Sequence, residues 1–157
     1  MGESPKGLDR LDKKILEALV ENGRLSWRDL AETVGLSETP TVRRVRALEA
    51  AGYIGGYNAR IDETAAGRPI SIFVSVSLRA QNDKEIAAFE TAIATSPLIM
   101  SCYMMAGDVD YLMRVVVADI AEFHSFLGEV IRPIPGVEKI SSSFALKAII
   151  QRVSPPL

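Results

Sequence analysis

Ser26–Gly56 reads SWRDLAETVGLSETPTVRRVRALEAAGYIGG, and the fold of the chain turns on how this stretch is parsed. Ser26 begins Ser-Trp-Arg-Asp, close to a capping box, with Asp29 standing where glutamate is usual. Leu30, Ala31 and Val34 then form the buried side of a short helix. Gly35 supplies the turn, where a positive φ is expected. Ser37 is a good N-cap for the next helix, and Pro40 falls in its first turn, where a missing N–H costs nothing. At about 100° per residue, Val42, Val45 and Leu48 gather on one side, and Thr39, Pro40, Arg43, Arg44 and Ala47 point broadly the other way, with Arg46 at the flank.

Upstream, Leu8, Leu11, Ile15 and Leu19 recur at helical spacing, and Leu16 widens the stripe. Asp9 and Asp12 lie in the first turn, where a helix N-terminus favours negative charge, and Asn22-Gly23 ends the helix. Three helices with a tight turn before the third are the sequence form of a helix-turn-helix, which places one helix in the DNA major groove. The residues expected at double-stranded DNA are Ser37, Thr39, Pro40, Thr41, Arg43, Arg44 and Arg46. An arginine there can bond guanine in bidentate fashion and discriminate by roughly 1–3 kcal/mol. The plainer alternative is a solvated face on which Arg43 and Arg44 pair with Glu38 and Glu49. Trp27 reads as a partly buried anchor before it reads as a backbone contact.

Composition sets the frame for this reading. The chain has 157 residues, 48% hydrophobic and 24% charged, as in a globular protein of one ordinary or two small domains. No apolar run approaches the ~18 residues of a membrane span, and MGESPKGLDR lacks the apolar core of a secretory signal, so the cytoplasm is the expected compartment. Cys102 is the only cysteine, which excludes an internal disulfide and an intrachain thiolate metal cluster. Net charge is −2, with about +1 in residues 1–60 and −3 in residues 61–157. Bulk charge therefore does not argue for DNA; the local placement of arginines does. A weakly basic module gains phosphate contacts by dimerising.

The second half has a different rhythm. Ile70–Leu78 alternates, with Ile70, Ile72, Val74, Val76 and Leu78 on one face. Asp83–Thr95 reads as a helix, Leu98–Ala106 and Tyr111–Ala118 as strands around a Gly107–Asp110 turn, Asp119–Ile131 as a helix and Val137–Ile150 as a long, bent or bulged strand. The order βαββαβ is ferredoxin-like, giving an α+β chain. The expected domains are 1–52 and 70–157, joined by an extended linker at 53–69. The sheet face carrying Phe73 also looks apolar and implies burial against a second chain.

The chain resembles the Lrp/AsnC (leucine-responsive and asparagine-responsive, feast/famine) family of transcriptional regulators from Leu8 to about Arg152. The matching elements are Leu8-Asp9-Arg10-Leu11-Asp12 with Ile15-Leu16, then Gly35-Leu36-Ser37, Thr39-Pro40 and Arg43-Arg44-Val45-Arg46-Ala47-Leu48-Glu49. Gly52-Tyr53-Ile54, Gly56-Tyr57, Gly107-Asp108-Val109-Asp110-Tyr111 and Pro135-Gly136-Val137 follow in order. The resemblance implies an N-terminal DNA-binding domain and a C-terminal domain that dimerises, assembles to octamers as four dimers, and binds a small effector, usually an amino acid. It places the effector at Gly107, Asp108, Asp110 and Tyr111, with Cys102 and Met104 on the preceding strand and His124, Phe126 and Gly128 on another wall. Turn N–H groups suit a carboxylate, and acidic side chains suit an ammonium.

Departures and plainer readings stand beside this. Val109 replaces an aromatic common in that turn, and Ser141-Ser142-Ser143 replaces threonine-rich sequence, so effector identity does not transfer. Asp108 and Asp110 also read as solvated or capping aspartates of a tight turn. His124 reads first as a satisfied, partly buried histidine, and Met100, Met104, Met105 and Met113 as core or interface filler. No cofactor or metal is expected. Catalysis fails on inventory: there is no Ser–His–Asp set, ligand cluster or phosphate loop. The alternative to an effector-responsive regulator is an architectural DNA-binding protein that ignores effectors.

Overall fold

The computed structural model describes residues 7–80, 82–152 and 154–156. Three helices open the chain: α1 (Arg10–Glu21), α2 (Trp27–Val34) and α3 (Glu38–Ala50). Each begins where a short polar side chain precedes an apolar stripe. Asp9 caps α1 by accepting from the N–H groups of Leu11 and Asp12, and Asp12 accepts in return from the Asp9 N–H, which completes a capping box. Ser26 caps α2 through the Asp29 N–H, and Gly35 ends it at φ 74°. Ser37 occupies the N-cap of α3 but makes no side-chain capping bond; its carbonyl instead accepts from the N–H and the hydroxyl of Thr41. The helices close on Ile15, Leu16, Ala18, Leu30, Val34, Val45 and Leu48.

The rest follows the expected βαββαβ order: β1 (Ile70–Leu78), α4 (Asp83–Ala94), β2 (Ile99–Met104), β3 (Tyr111–Val117), α5 (Ile120–Phe126) and β4 (Val137–Phe144). The strands form an antiparallel sheet in the order β2-β3-β1-β4. Ile72, Val74 and Val76 have no exposed surface and meet Met113, Val115, Phe89 and Ile131 on the helix-covered face. Burial of each such side chain contributes about 1.5–3 kcal/mol. On the opposite face Phe73 and Tyr103 remain 40% and 62% exposed.

Two elements differ from expectation. The second helix of this half does not run unbroken to Ile131; α-helix stops at Phe126 and a π-turn covers Leu127–Ile131, closed by the Arg132 N–H donating to the Leu127 carbonyl. Gly128 lies inside it, and glycine's weak helix preference makes that turn the place to yield. Strand β4 ends at Phe144, not Ile150, because β1 runs out: Ala145 donates to the Ser71 carbonyl, and Pro69 before β1 has no N–H to offer. The register shift lies near the start of β4, where Lys139 faces Ser77 but Val137 faces Leu78.

Gly136 has a stricter role than a loop residue. Its φ is 89°, its carbonyl accepts from the Arg79 N–H, and a Cβ there would lie 2.6 Å from a Glu85 carboxylate oxygen. The chain divides into two compact units, Met1–Arg60 with Ile150–Leu157, and Ile61–Ile149. The division falls inside the stretch expected as linker. Tyr57 belongs to the first unit, where its hydroxyl donates to Glu49. Glu63 and Arg68 belong to the second, paired with Arg114 and Glu122.

Candidate functional site

The first candidate surface is one side of α3. Glu38, Thr39, Val42, Arg43 and Arg46 line a shallow open concavity, with Arg43 and Arg46 exposed. Residues 39, 42, 43 and 46 fall within about 100° of arc on a helix, so they form one stripe. Among the described residues, neither Arg43 nor Arg46 takes part in an ion pair. Two exposed guanidinium groups one turn apart, beside a hydroxyl and an apolar spot, can bond an anionic backbone or base edges. Ser37 is exposed and Pro40 half-buried at the N-terminal end of the same helix.

Two residues expected on this stripe are elsewhere. Thr41 is fully buried, and its hydroxyl donates to the Ser37 carbonyl at 2.9 Å. It lies on the inward side with Val45 and Leu48, so contact with a ligand outside the helix is sterically closed. Arg44 turns toward α1. Its Nη1 donates to Asp9 Oδ2 and to Asp12 Oδ1, both at 2.7 Å. Donating to Asp9 and then to Asp12 holds the Arg44 pKa above its ordinary value. Asp9 is held below the usual carboxylate range, first by the Asp12 N–H and then by Arg44. The partners are not Glu38 and Glu49; Glu49 accepts from Tyr57 instead. Val42, expected inward, lies half-buried on the open side.

The second candidate lies at one end of the sheet. Leu78, Ile86, Met104, Met105, Asp110 and Tyr111 line a cavity of about 60 Å³. The turn beside it is locked to β1: the Asp110 N–H donates to the Val76 carbonyl at 3.0 Å, and the Leu78 N–H donates to Asp110 Oδ2 at 2.6 Å. Met105 closes the hairpin by donating to the Asp110 carbonyl. Tyr111 is 2% exposed, stacks tilted on Phe89 with ring centroids 4.4 Å apart, and donates its hydroxyl to Glu90. Burial, then the Glu90 carboxylate, pushes the tyrosine up to about 12. Cys102 on β2 is half-buried against the core, and burial followed by Glu90 raises its thiol pKa. Gly107 and Asp108 sit exposed at the turn.

The residues expected as the other wall do not reach this cavity. His124 is exposed rather than partly buried, Phe126 is buried in the core beside Phe123, and Gly128 sits exposed in the π-turn. The helix at the cavity is α4, through Ile86. The reason is topological: Phe89 of α4 packs on Tyr111, which pairs with Val76 near one end of β1, whereas Phe123 of α5 packs on Phe144, which pairs with Ile72 toward the other end. Sequence reading also passed over Leu78, Met105 and Glu90. Ile86 and Glu90 are one helical turn apart, but nothing in that spacing tells which strand end they meet.

Comparison with known proteins also divides the chain between residues 49 and 71. The AsnC-type helix-turn-helix domain matches residues 8–49, and the Lrp/AsnC ligand binding domain matches residues 71–155. The Bkd operon transcriptional regulator of Pseudomonas aeruginosa is 55% identical over 96% of this chain and 98% of its own length. The proline dehydrogenase transcriptional activator of Rhodobacter capsulatus is 37% identical over 96% of this chain and 97% of its own length. A transcriptional regulator from Neisseria meningitidis, solved as a complex with L-methionine, superposes with a TM-score of 0.91 at 33% identity, covering 96% of this chain and 97% of that one.

Proposed function

This chain belongs to the Lrp/AsnC family of transcriptional regulators, and from that premise we propose that it reads duplex DNA with Arg43 and Arg46 and answers to an amino acid held beside Asp110 and Tyr111. The observation that carries the DNA assignment is the exposed α3 stripe, on which both guanidinium groups lack an ion-pair partner among the described residues. Thr39 and Pro40 stand at its N-terminal end, the end of a recognition helix that meets base edges. The module carries little net charge, so a dimer that sets two α3 helices in successive major grooves about 34 Å apart supplies the phosphate contacts one copy lacks. The exposed sheet face around Phe73 and Tyr103 is the surface we assign to that dimer, and octamers of four dimers are its further assembly. The protein works in the cytoplasm, where its DNA is, and regulates without catalysing a reaction.

The effector reading rests on the cavity's chemistry and on the relative solved with L-methionine. Leu78, Ile86, Met104 and Met105 offer an apolar lining to an aliphatic or thioether side chain. Asp108 at the turn offers a carboxylate to an ammonium group. About 60 Å³ is far below the 300–1,000 Å³ of an ordinary ligand pocket, so only the end of a side chain enters; a neighbouring copy supplies the remaining wall. Ligand then shifts the population among assemblies according to its affinity for each.

Two measurements test this. In a gel shift on a duplex selected by the full chain, Arg43→Ala and Arg46→Ala each weaken binding by about tenfold; unchanged binding by both rejects the assignment to α3. In a thermal-shift screen of the twenty amino acids, a ligand at a hundred times its Kd stabilises the chain by ~2.7 kcal/mol. An apolar amino acid that does so, and loses the effect in Met104→Ser, supports the cavity. A flat screen favours the effector-independent architectural protein.

A further inference from the structure

Taking α3 as the DNA-facing helix, we propose that Arg44 is a positioning residue: it holds α3 against the N-terminus of α1 and does not itself touch DNA. The helical stripe of residues 39, 42, 43 and 46 leaves Arg44 roughly 150° away, on the side that descends toward the core. Its side chain is 28% exposed, and Asp12 opposite it is 20% exposed. A single nitrogen, Nη1, donates to both Asp9 and Asp12.

The receiving site is built before Arg44 arrives. Asp9 is fixed by the N–H groups of Leu11 and Asp12, at 2.8 Å each, and Asp12 by the Asp9 N–H at 3.2 Å. Both carboxylates are therefore oriented by the capping box of α1, with oxygens left over for a cation from another helix. Arg44 lies 35 residues beyond Asp9, so the contact fixes α3 on α1 rather than adding local helix stability. For Arg44 to reach a phosphate it would have to leave two charge-assisted hydrogen bonds, while Arg43 and Arg46 stand exposed on the open side.

The geometry separates positioning from contact. One nitrogen bridging two carboxylates is a task an ammonium also performs, whereas a bidentate guanine contact needs the guanidinium fork. Neutralising Asp12 leaves Arg44 held by Asp9 alone; a DNA-contacting arginine would then bind better, and a positioning arginine worse.

The test uses the full chain and a duplex it selects from a random-sequence pool, with affinity measured against KCl concentration. Arg44→Lys is expected to bind within about twofold of the parent. Asp12→Asn, which keeps an oxygen for the Asp9 N–H, is expected to weaken binding about fivefold with an unchanged salt slope. Arg44→Gln is expected to do the same, whereas a residue that contacts phosphate flattens the slope by about 0.9 when removed. Loss of tenfold or more in Arg44→Lys, unchanged or tighter binding in Asp12→Asn, or a flattened slope in Arg44→Gln overturns the role. Should Arg44→Gln not fold, Arg44→Lys and Asp12→Asn decide it. A parent chain that selects no duplex removes the DNA reading and this role together; the variant results above, on a parent that binds, remove the role alone.

Discussion

The two units are held together by different means. The rear unit buries Phe89, Tyr111, Phe123 and Phe126 with a run of valines and isoleucines between one sheet face and its helices. The front unit buries no aromatic residue among the described ones; its core is Ile15, Leu16, Ala18, Leu30, Val34, Val45 and Leu48. It compensates at helix ends and with charge: the Asp9–Asp12 capping box, Ser26 on Asp29, and Arg44 across to α1. A large apolar core tolerates a mobile surface, whereas a small one leans on polar contacts to orient its working helix. Both units also keep a tyrosine bonded to a glutamate, Tyr57 to Glu49 in front and Tyr111 to Glu90 behind, which allows the same chemistry to be compared in two settings.

The largest effect that sharpens the contrast is expected from Phe89→Ala, which empties a fully buried ring site and costs about 3–5 kcal/mol. In urea unfolding, the far-ultraviolet signal of the sheet should shift strongly while Trp27 fluorescence, which reports the front unit, shifts less. If both signals move together, the units unfold as one and the comparison fails. Ile15→Ala is the counterpart, at about 2–4 kcal/mol, and here Trp27 should lead. Because the front core is small, this variant should also lose DNA binding on mild warming.

A smaller effect is expected at Gly136. Gly136→Ala combines a positive φ with overlap on Glu85, and its cost is about 1–3 kcal/mol. Glu85→Ala in the same chain should recover the overlap part and leave the backbone part; no recovery would mean the close approach is not what glycine serves. The smallest effect is alkaline. Tyr57 and Tyr111 are each pushed up to about 12, first by loss of hydration and then by the adjacent glutamate, and because Tyr57 is 51% exposed and Tyr111 only 2%, solvent screens the front pair more. The folded chain therefore keeps protons that the unfolded chain loses above pH ~10. Their contribution is whole below pH ~10 and is lost as pH rises toward about 12. Tyr57→Phe should reduce that slope in the Trp27 signal and Tyr111→Phe in the sheet signal, as read by urea unfolding at pH 9 to 12.

Most elements were legible because each is written locally. The cap at Ser26, the acids at the start of the first helix, the turn at Gly35 and the alternation of Ile70–Leu78 state where helices and strands begin. The candidate sites were legible in part. Arg43 and Arg46 fall where a helical count puts them, within the tolerance of that count. Thr41 and Val42 exchanged faces: at about 100° per residue Thr41 falls between Val45 and Leu48, whereas Val42 lies at the edge of that arc and opens outward. The partners of Arg44 were not legible because they sit on another helix, outside any local window. In the rear unit, Met104, Asp110 and Tyr111 meet as read, but the helix beside them is α4 rather than α5.

By itself the amino-acid order determined the two-part architecture, the family and the kinds of element, because periodicity, capping and turn chemistry act over a few residues. Only the folded structure decided which side of α3 faces out, which acids hold Arg44, and which helix covers the cavity at Tyr111. Those outcomes depend on groups far apart in the chain, such as Arg44 with Asp9 or Arg114 with Glu63, 51 residues away. Such pairs form only after helices and strands dock, since burial chooses the docking and the charges then settle with the neighbours it leaves them.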